Sequence, residues 1–180
     1  MAPIKMISAG GFVAVSCFGN RDATEDVDYI LDPHIGNLQK AEEKLGAAIK
    51  DVTNQLGLAD KWINDSMWVY SIGEPRKRLF KESIEQDQKL FSGRNLVIYA
   101  AKWQWALNRK LIRLSGDNPR ERDLSDAVEL IKRIIDASGR PLSRDLIKSW
   151  PTNSVDVIRD SVLDELATHF VAKFGTSPLL

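Results

Sequence analysis

The stretch that most limits the fold is IKMISAGGFVAVSCFGNRDATEDVDYIL, residues 4–31. The apolar run IKMIS leads into the glycines Gly10 and Gly11. Such a run predicts a short buried strand closed by a glycine turn. FVAVSCF continues apolar, and a helix comes naturally after a strand and a turn. GNRDAT has the composition of a loop. EDVDYIL then alternates, with Val27, Tyr29 and Leu31 on one face and Asp26, Asp28 and Ile30 on the other. That alternation predicts a second strand, which Pro33 ends. Strand, glycine turn, helix and strand in this order commit the first part of the chain to an α/β arrangement.

The pattern then turns helical. Leu38, Ala41, Leu45, Ile49 and Val52 recur at helical spacing between Gly36 and Leu56, and Gly57 suits a C-cap. ADKWINDSMWVY predicts a short helix with Trp62, Ile63 and Trp68 turned inward. RKRLFKESIEQDQKLF predicts another helix, ended by Gly93. NLVIYAA is a clear strand. Beyond it the periodicity predicts helices over 102–114, 124–138, 142–149 and 155–174, punctuated by GDNPRERD and SGRP. The fold class expected is α+β: a short mixed sheet flanked by helices over 1–101, then a C-terminal helical bundle over 102–180 packed on it. No flexible linker separates the two.

Composition sets the class of partner. The 180 residues carry 25 basic and 25 acidic side chains, so no general affinity for nucleic acid arises from net charge. Cys17 is the only cysteine, which excludes an internal disulfide and fits a reducing, cytoplasmic compartment. Its apolar neighbours suggest a small buried hydrophobe. No apolar run reaches the roughly 20 residues of a membrane span, and the N-terminus lacks a signal-peptide layout. His34 and His169 are too far apart in sequence to suggest a metal site. Arg76, Lys77, Arg78 and Lys81 form either a solvated helix face or a tract for RNA or phosphate. Trp68 and Trp103 serve a core or stack on a base.

The acid pair is the first chemical signal. Side chains two apart on a strand share a face, with Cα atoms roughly 6.5–7 Å apart. Two carboxylates that close repel unless a cation lies between them. Asp26 and Asp28 thus offer oxygen ligands to a hard metal, with positions left for phosphate oxygens. Glycines between strand and helix let backbone N–H groups approach a phosphate. The combination suits a nucleoside triphosphate with Mg²⁺ or Mn²⁺.

Lys110 is the second signal. In KWQWALNRKLIRL it falls within the apolar arc of Trp103, Leu107, Leu111 and Leu114. Burying an ammonium is costly unless it finds an anion. Lys110 either snorkels along apolar surface or points into a cleft to meet phosphate. Asp123 and Asp126 downstream read as a helix start, where an acid caps the first turn and suits the dipole.

Ala9, Gly10 and Gly11, then Asp26, Val27, Asp28 and Tyr29, resemble the signature of the nucleotidyltransferase superfamily with the DNA polymerase β-like fold. Arg21 and Thr24 before the acids, Lys110 with Arg113 in one helix, and Asp123 with Asp126 opening the next resemble its AbiEii-like, minimal nucleotidyltransferase branch. The resemblance implies metal-dependent transfer of a nucleoside monophosphate from an NTP to an acceptor: RNA, protein or a small molecule. It implies metal ligation by Asp26 and Asp28 and nucleotide binding by Gly10, Gly11, Arg21, Thr24 and Arg113. Lys110 would offset phosphate charge, and Asp123 would act as its partner or as a catalytic base. The alternative is a degenerate member that holds a nucleotide or protein partner without chemistry, linked to toxin or defence systems.

Overall fold

Met6, Ile7 and Ser8 are shut off from solvent, which places their strand, β1 (Ile4–Ser8), in the middle of a sheet. The structure is a computed structural model that describes residues 3–67, 72–151 and 157–180. It is α+β, with a five-stranded mixed sheet and, among the described residues, seven helices. Contacts divide the chain into two units, Met1–Ala101 and Lys102–Leu180.

In the first unit, β1 runs antiparallel to β2 (Val27–Leu31) in the register Met6–Leu31, Ile7–Ile30, Ser8–Tyr29. On its other side it runs parallel to β5 (Leu96–Ala100). Between β1 and β2 the chain forms a single turn of α-helix, α1 (Gly11–Val13), that widens into a π-turn over Ala14–Phe18. The widening is closed by the Gly19 N–H, which donates to the Ala14 carbonyl at 2.9 Å, five residues back. Helix α2 (Leu38–Leu56) starts at Asn37, whose side chain accepts from the Lys40 N–H at 2.9 Å. Gly57 ends it in the left-handed conformation, as its sequence position predicts. Ala41 of α2 packs with Met6, Leu31 and Ile98, flanked by Leu38 and Leu45. Helix α3 (Glu74–Gln86) packs against β1 and β5 and buries Leu79, Phe80 and Ser83.

Two expected helical segments are strands. Ile63–Asn64, placed in a helix by its tryptophans, forms β3, parallel to β2. The Val27 N–H donates to the Trp62 carbonyl at 2.8 Å, so β2 gains backbone partners along its outer edge. Trp68, which carried part of that helix and a base-stacking expectation, lies outside the described residues. The helix expected to run to Gly93 stops at Gln86. Asp87 turns left-handed at φ 52°, and Lys89–Ser92 becomes β4, antiparallel to β5. Strand order is β3-β2-β1-β5-β4.

The second unit is helical: α4 (Trp103–Ser115), α5 (Glu121–Ser138), α6 (Arg144–Ser149) and α7 (Asp160–Phe174). Leu107 and Leu111 of α4, Ile131 of α5, Ile147 of α6 and Leu163 and Leu166 of α7 have no exposed surface. Each contributes about 1.5–3 kcal/mol by leaving water. The last helix begins at Asp160, later than its apolar pattern predicts; residues 155 and 156 lie outside the described residues. Arg159 is turned to another task. Its N–H donates to the Ser115 hydroxyl at 3.0 Å and its guanidinium to the carbonyls of Ser115 and Gly116, capping the end of α4. Leu142 and the C-terminal residues are joined by backbone hydrogen bonds: the Leu142 N–H donates to the Pro178 carbonyl at 2.9 Å, and the Leu180 N–H to the Leu142 carbonyl at 3.0 Å. No helix of the described residues is long and apolar enough to cross a membrane.

Candidate functional site

The glycine turn leaves β1 through Gly10, at φ 75° and ψ −137°. A side chain there would be strained, which explains the glycine. The place a Gly10 Cβ would take lies 3.9 Å from Asp28 Oδ2, so the carboxylate sits beside the turn. Gly11 is needed for space. A Cβ on it would fall 2.1 Å from Thr24 Oγ1, 3.0 Å from Thr24 Cβ and 3.7 Å from Arg21 Nη1. Gly10, Gly11, Arg21, Thr24 and Asp28 thus meet at one end of β1 and β2.

Two hydroxyls hold the acids by their backbone. The Ser8 hydroxyl donates to the Asp28 carbonyl at 2.6 Å. The Thr24 hydroxyl donates to the Asp26 carbonyl at 3.0 Å. This corrects the expectation that both acids lie within a strand. Asp28 stands in β2, but Asp26 precedes its first residue and is fixed by the Thr24 loop. Both are half-buried. On the next strand, Asn64 is the register partner of Asp28, and its side chain serves its own turn by accepting from the Ser66 N–H at 2.9 Å. Tyr29, beside Asp28 in sequence, has its phenol pushed above the usual range by burial, then by the nearby charges of Asp65 and Glu42, against Arg76.

Among the described residues no group of three or more His, Cys, Asp or Glu side chains is poised for a metal. Two carboxylates nevertheless suit Mg²⁺. That ion typically takes one or two protein carboxylates and fills the rest of its octahedron with water and substrate phosphates. Asp26 and Asp28 would supply the carboxylates, and the adjacent glycine turn leaves backbone close to where phosphates would lie.

The second unit holds a separate cluster. The Lys110 ammonium lies 2.5 Å from Asp123 Oδ1 and 2.7 Å from Asp126 Oδ2. The Lys110 side chain is 11% exposed and those of the two aspartates 1% and 2%. Of the two readings open for Lys110, snorkelling is excluded. Arg113 Nη1 adds a longer contact of 3.4 Å to each Asp123 oxygen. Burial by itself would raise the Asp123 pKa, but Lys110 and Arg113 together draw it below the ordinary carboxylate value. Asp123 is also no helix cap. Arg120 occupies the N-cap of α5 without a side-chain cap bond, and Asp123 lies three residues on, facing α4. The spacing of Asp123 and Asp126 puts both on one face, where a single ammonium serves them.

The sequence-derived residues therefore divide between the units. Gly10, Gly11, Arg21, Thr24, Asp26 and Asp28 belong to the first, and Lys110, Arg113 and Asp123 to the second. Ser8 was missed. Its hydroxyl ends a strand whose Met6 and Ile7 are buried and whose Lys5 is exposed, and nothing in the sequence marks it out. Trp103 is buried at the start of α4.

No curated protein matches the chain, and no solved structure matches it. A family described as a domain of unknown function, DUF7582, matches residues 22–177, a span that includes both acids of the pair and the whole Lys110–Asp123–Asp126 cluster. Since that match covers most of the sequence, the chain belongs to the DUF7582 family.

Proposed function

We propose that this protein is a metal-dependent nucleotidyltransferase that moves a nucleoside monophosphate from an NTP to an acceptor hydroxyl or phosphate on RNA, protein or a small molecule. One observation carries the reading: the Asp28 carboxylate beside Gly10, with Arg21 and Thr24 closed over Gly11. In this reading Mg²⁺ or Mn²⁺ on Asp26 and Asp28 supplies Lewis-acid polarisation of the phosphates. Gly10 lets the triphosphate approach the backbone, Gly11 lets Thr24 and Arg21 close on the turn beside it, and Arg21 offsets the triphosphate charge. Arg113 keeps an exposed guanidinium that suits it to a phosphate. The strand-turn-helix-strand order and the mixed sheet support the likeness to the polymerase β-like fold.

A second reading is favoured by Asp123. A carboxylate drawn down by Lys110 and Arg113 is a poor proton acceptor. This suits a module that binds nucleotide or a protein partner without transfer, in a toxin or defence setting. The test uses the four α-labelled NTPs with Mg²⁺ or Mn²⁺, and with tRNA, cell extract and small acceptors. Transfer predicts label on an acceptor with the wild type and none with Asp26→Ala or Asp28→Ala. Saturable nucleotide binding with no label moved from any NTP selects the module. No nucleotide binding at all removes the transferase and the nucleotide-binding module, and leaves only a module for a protein partner.

A further inference from the structure

We propose that Ser8 is a positioning residue for the Asp28 carboxylate, an inference that rests on the metal–nucleotide reading of the acid pair. Ser8 closes β1, and none of its surface is exposed. A hydroxyl buried on a central strand costs free energy unless it is bonded, and alanine would fill the place without that cost. The bond it makes is to one atom of the site, the carbonyl of Asp28, at 2.6 Å. Its own carbonyl accepts from the Ala101 N–H at 2.7 Å. Ser8 therefore ties together the ends of β1, β2 and β5 at the point where the chain enters the glycine turn.

Gly10 comes two residues after Ser8, and the Asp28 carboxylate lies beside it, so the tie sits directly behind the site. A carboxylate is aimed by the tilt of its own peptide. Mg²⁺ demands near-octahedral ligands at about 2.0–2.1 Å, so a small tilt at Asp28 misplaces an oxygen relative to phosphates at the turn. The Ser8 hydroxyl fixes that peptide from the side of the turn, as groups behind metal ligands commonly do. Ser8 touches neither metal nor nucleotide in this role.

Ser83 provides a matched control. It is equally buried, and its hydroxyl also donates to a backbone carbonyl, that of Leu79, at 2.7 Å within α3. The probe is Mn²⁺, alone and with each NTP, its binding measured by electron paramagnetic resonance and its effect on melting temperature recorded. Ser8→Ala should weaken Mn²⁺ binding by about 10- to 100-fold, the usual cost of losing a group behind a ligand. Ser83→Ala, which also removes a buried and bonded hydroxyl, should leave binding within about twofold of wild type while lowering the melting temperature. Ser8→Thr, which restores the hydroxyl, should recover most of the affinity even if its methyl lowers the melting temperature. Should Ser8→Ala not fold, Ser8→Cys carries the comparison, being similar in size and a weak donor. Wild-type affinity in Ser8→Ala or Ser8→Cys overturns the positioning role and leaves the metal reading intact. The same loss in Ser83→Ala as in Ser8→Ala also overturns it. Absence of Mn²⁺ binding by the wild type, with and without NTPs, overturns the metal reading and the positioning role together.

Discussion

A methyl group at residue 11 would have to occupy space already taken by the Thr24 hydroxyl, 2.1 Å away. Gly11→Ala should therefore destabilise by about 1–3 kcal/mol, the usual cost of overpacking. Thr24→Ala removes the hydroxyl and leaves only the 3.0 Å approach of its Cβ. The double variant should be more stable than the sum of the single losses predicts, by at least about 0.5 kcal/mol in a denaturant cycle. Additive losses would mean that Thr24 does not close over Gly11. The Lys110 cluster makes a prediction in pH. The Asp123 pKa is lowered in the folded state, so its contribution to stability is present above the unfolded carboxylate value of about 3.9. It is lost as pH falls through the lower folded value. Lys110→Met removes the ammonium that two buried carboxylates share, leaving Asp123 its longer contact with Arg113, and should cost about 3–5 kcal/mol at pH 7. A Lys110 that only faced nucleotide would instead be replaced at little cost to stability. The penalty should shrink towards pH 4.5, because buried carboxylates that have lost an ammonium take up protons readily; urea unfolding at the two pH values measures it. The glycines and acids were legible in the sequence because they are unusual residues inside apolar runs. Lys110 was legible as an anomaly, and the resemblance offered Asp123 as its partner; that Asp126 shares the same ammonium was not legible, since an arc of residues shows that a charge is buried without showing all that meets it. Ser8 was silent because serine is common at strand ends, and only the register with β2 gives its hydroxyl a target.

Among the elements, those with a long hydrophobic period were legible. Helices α2, α4 and α5 begin and end close to their predicted positions, because a repeating apolar face and a glycine or loop boundary fix them locally. β1, β2 and β5 were legible for the corresponding reason, continuous or alternating apolar residues. β3 and β4 were not. β3 has two residues, and its pairing is decided by the free edge of β2. β4 has four, KLFS, of which only Leu90 is partly buried, and it forms by folding back on β5 through the turn at Gly93. In both, a tertiary partner overrode local propensity. The helical elements can be tested by a cavity. Leu111 has no exposed surface and lies on α4, one residue from Lys110. Leu111→Ala should cost about 2–5 kcal/mol in urea unfolding. It should also loosen the α4 face that carries the ammonium. A loss below about 1 kcal/mol would mean that α4 is not the core helix of its unit.

At the scale of the whole molecule, the two units carry different chemistry and should respond to different perturbations. The residues of the nucleotide reading at the glycine turn lie in Met1–Ala101, and the buried lysine with its two aspartates lies in Lys102–Leu180. A ligand that binds only the folded state stabilises it by RT ln(1 + [L]/Kd), about 2.7 kcal/mol at a hundredfold excess over Kd. Hydrogen exchange locates such effects by residue, whether or not the units unfold together. With Mn²⁺ and a bound NTP in excess, amide exchange should slow in β1, in Gly10–Phe18 and in β2. With Lys110→Met, exchange should instead quicken in α4 and α5, where loss of the shared ammonium weakens the packing of one helix on the other. Asp28→Asn should remove the ligand's protection without quickening α5. Protection gained in α4 and α5 alone on adding ligand, with none between Gly10 and Asp28, would remove the nucleotide from the acid pair and assign it to the lysine cluster.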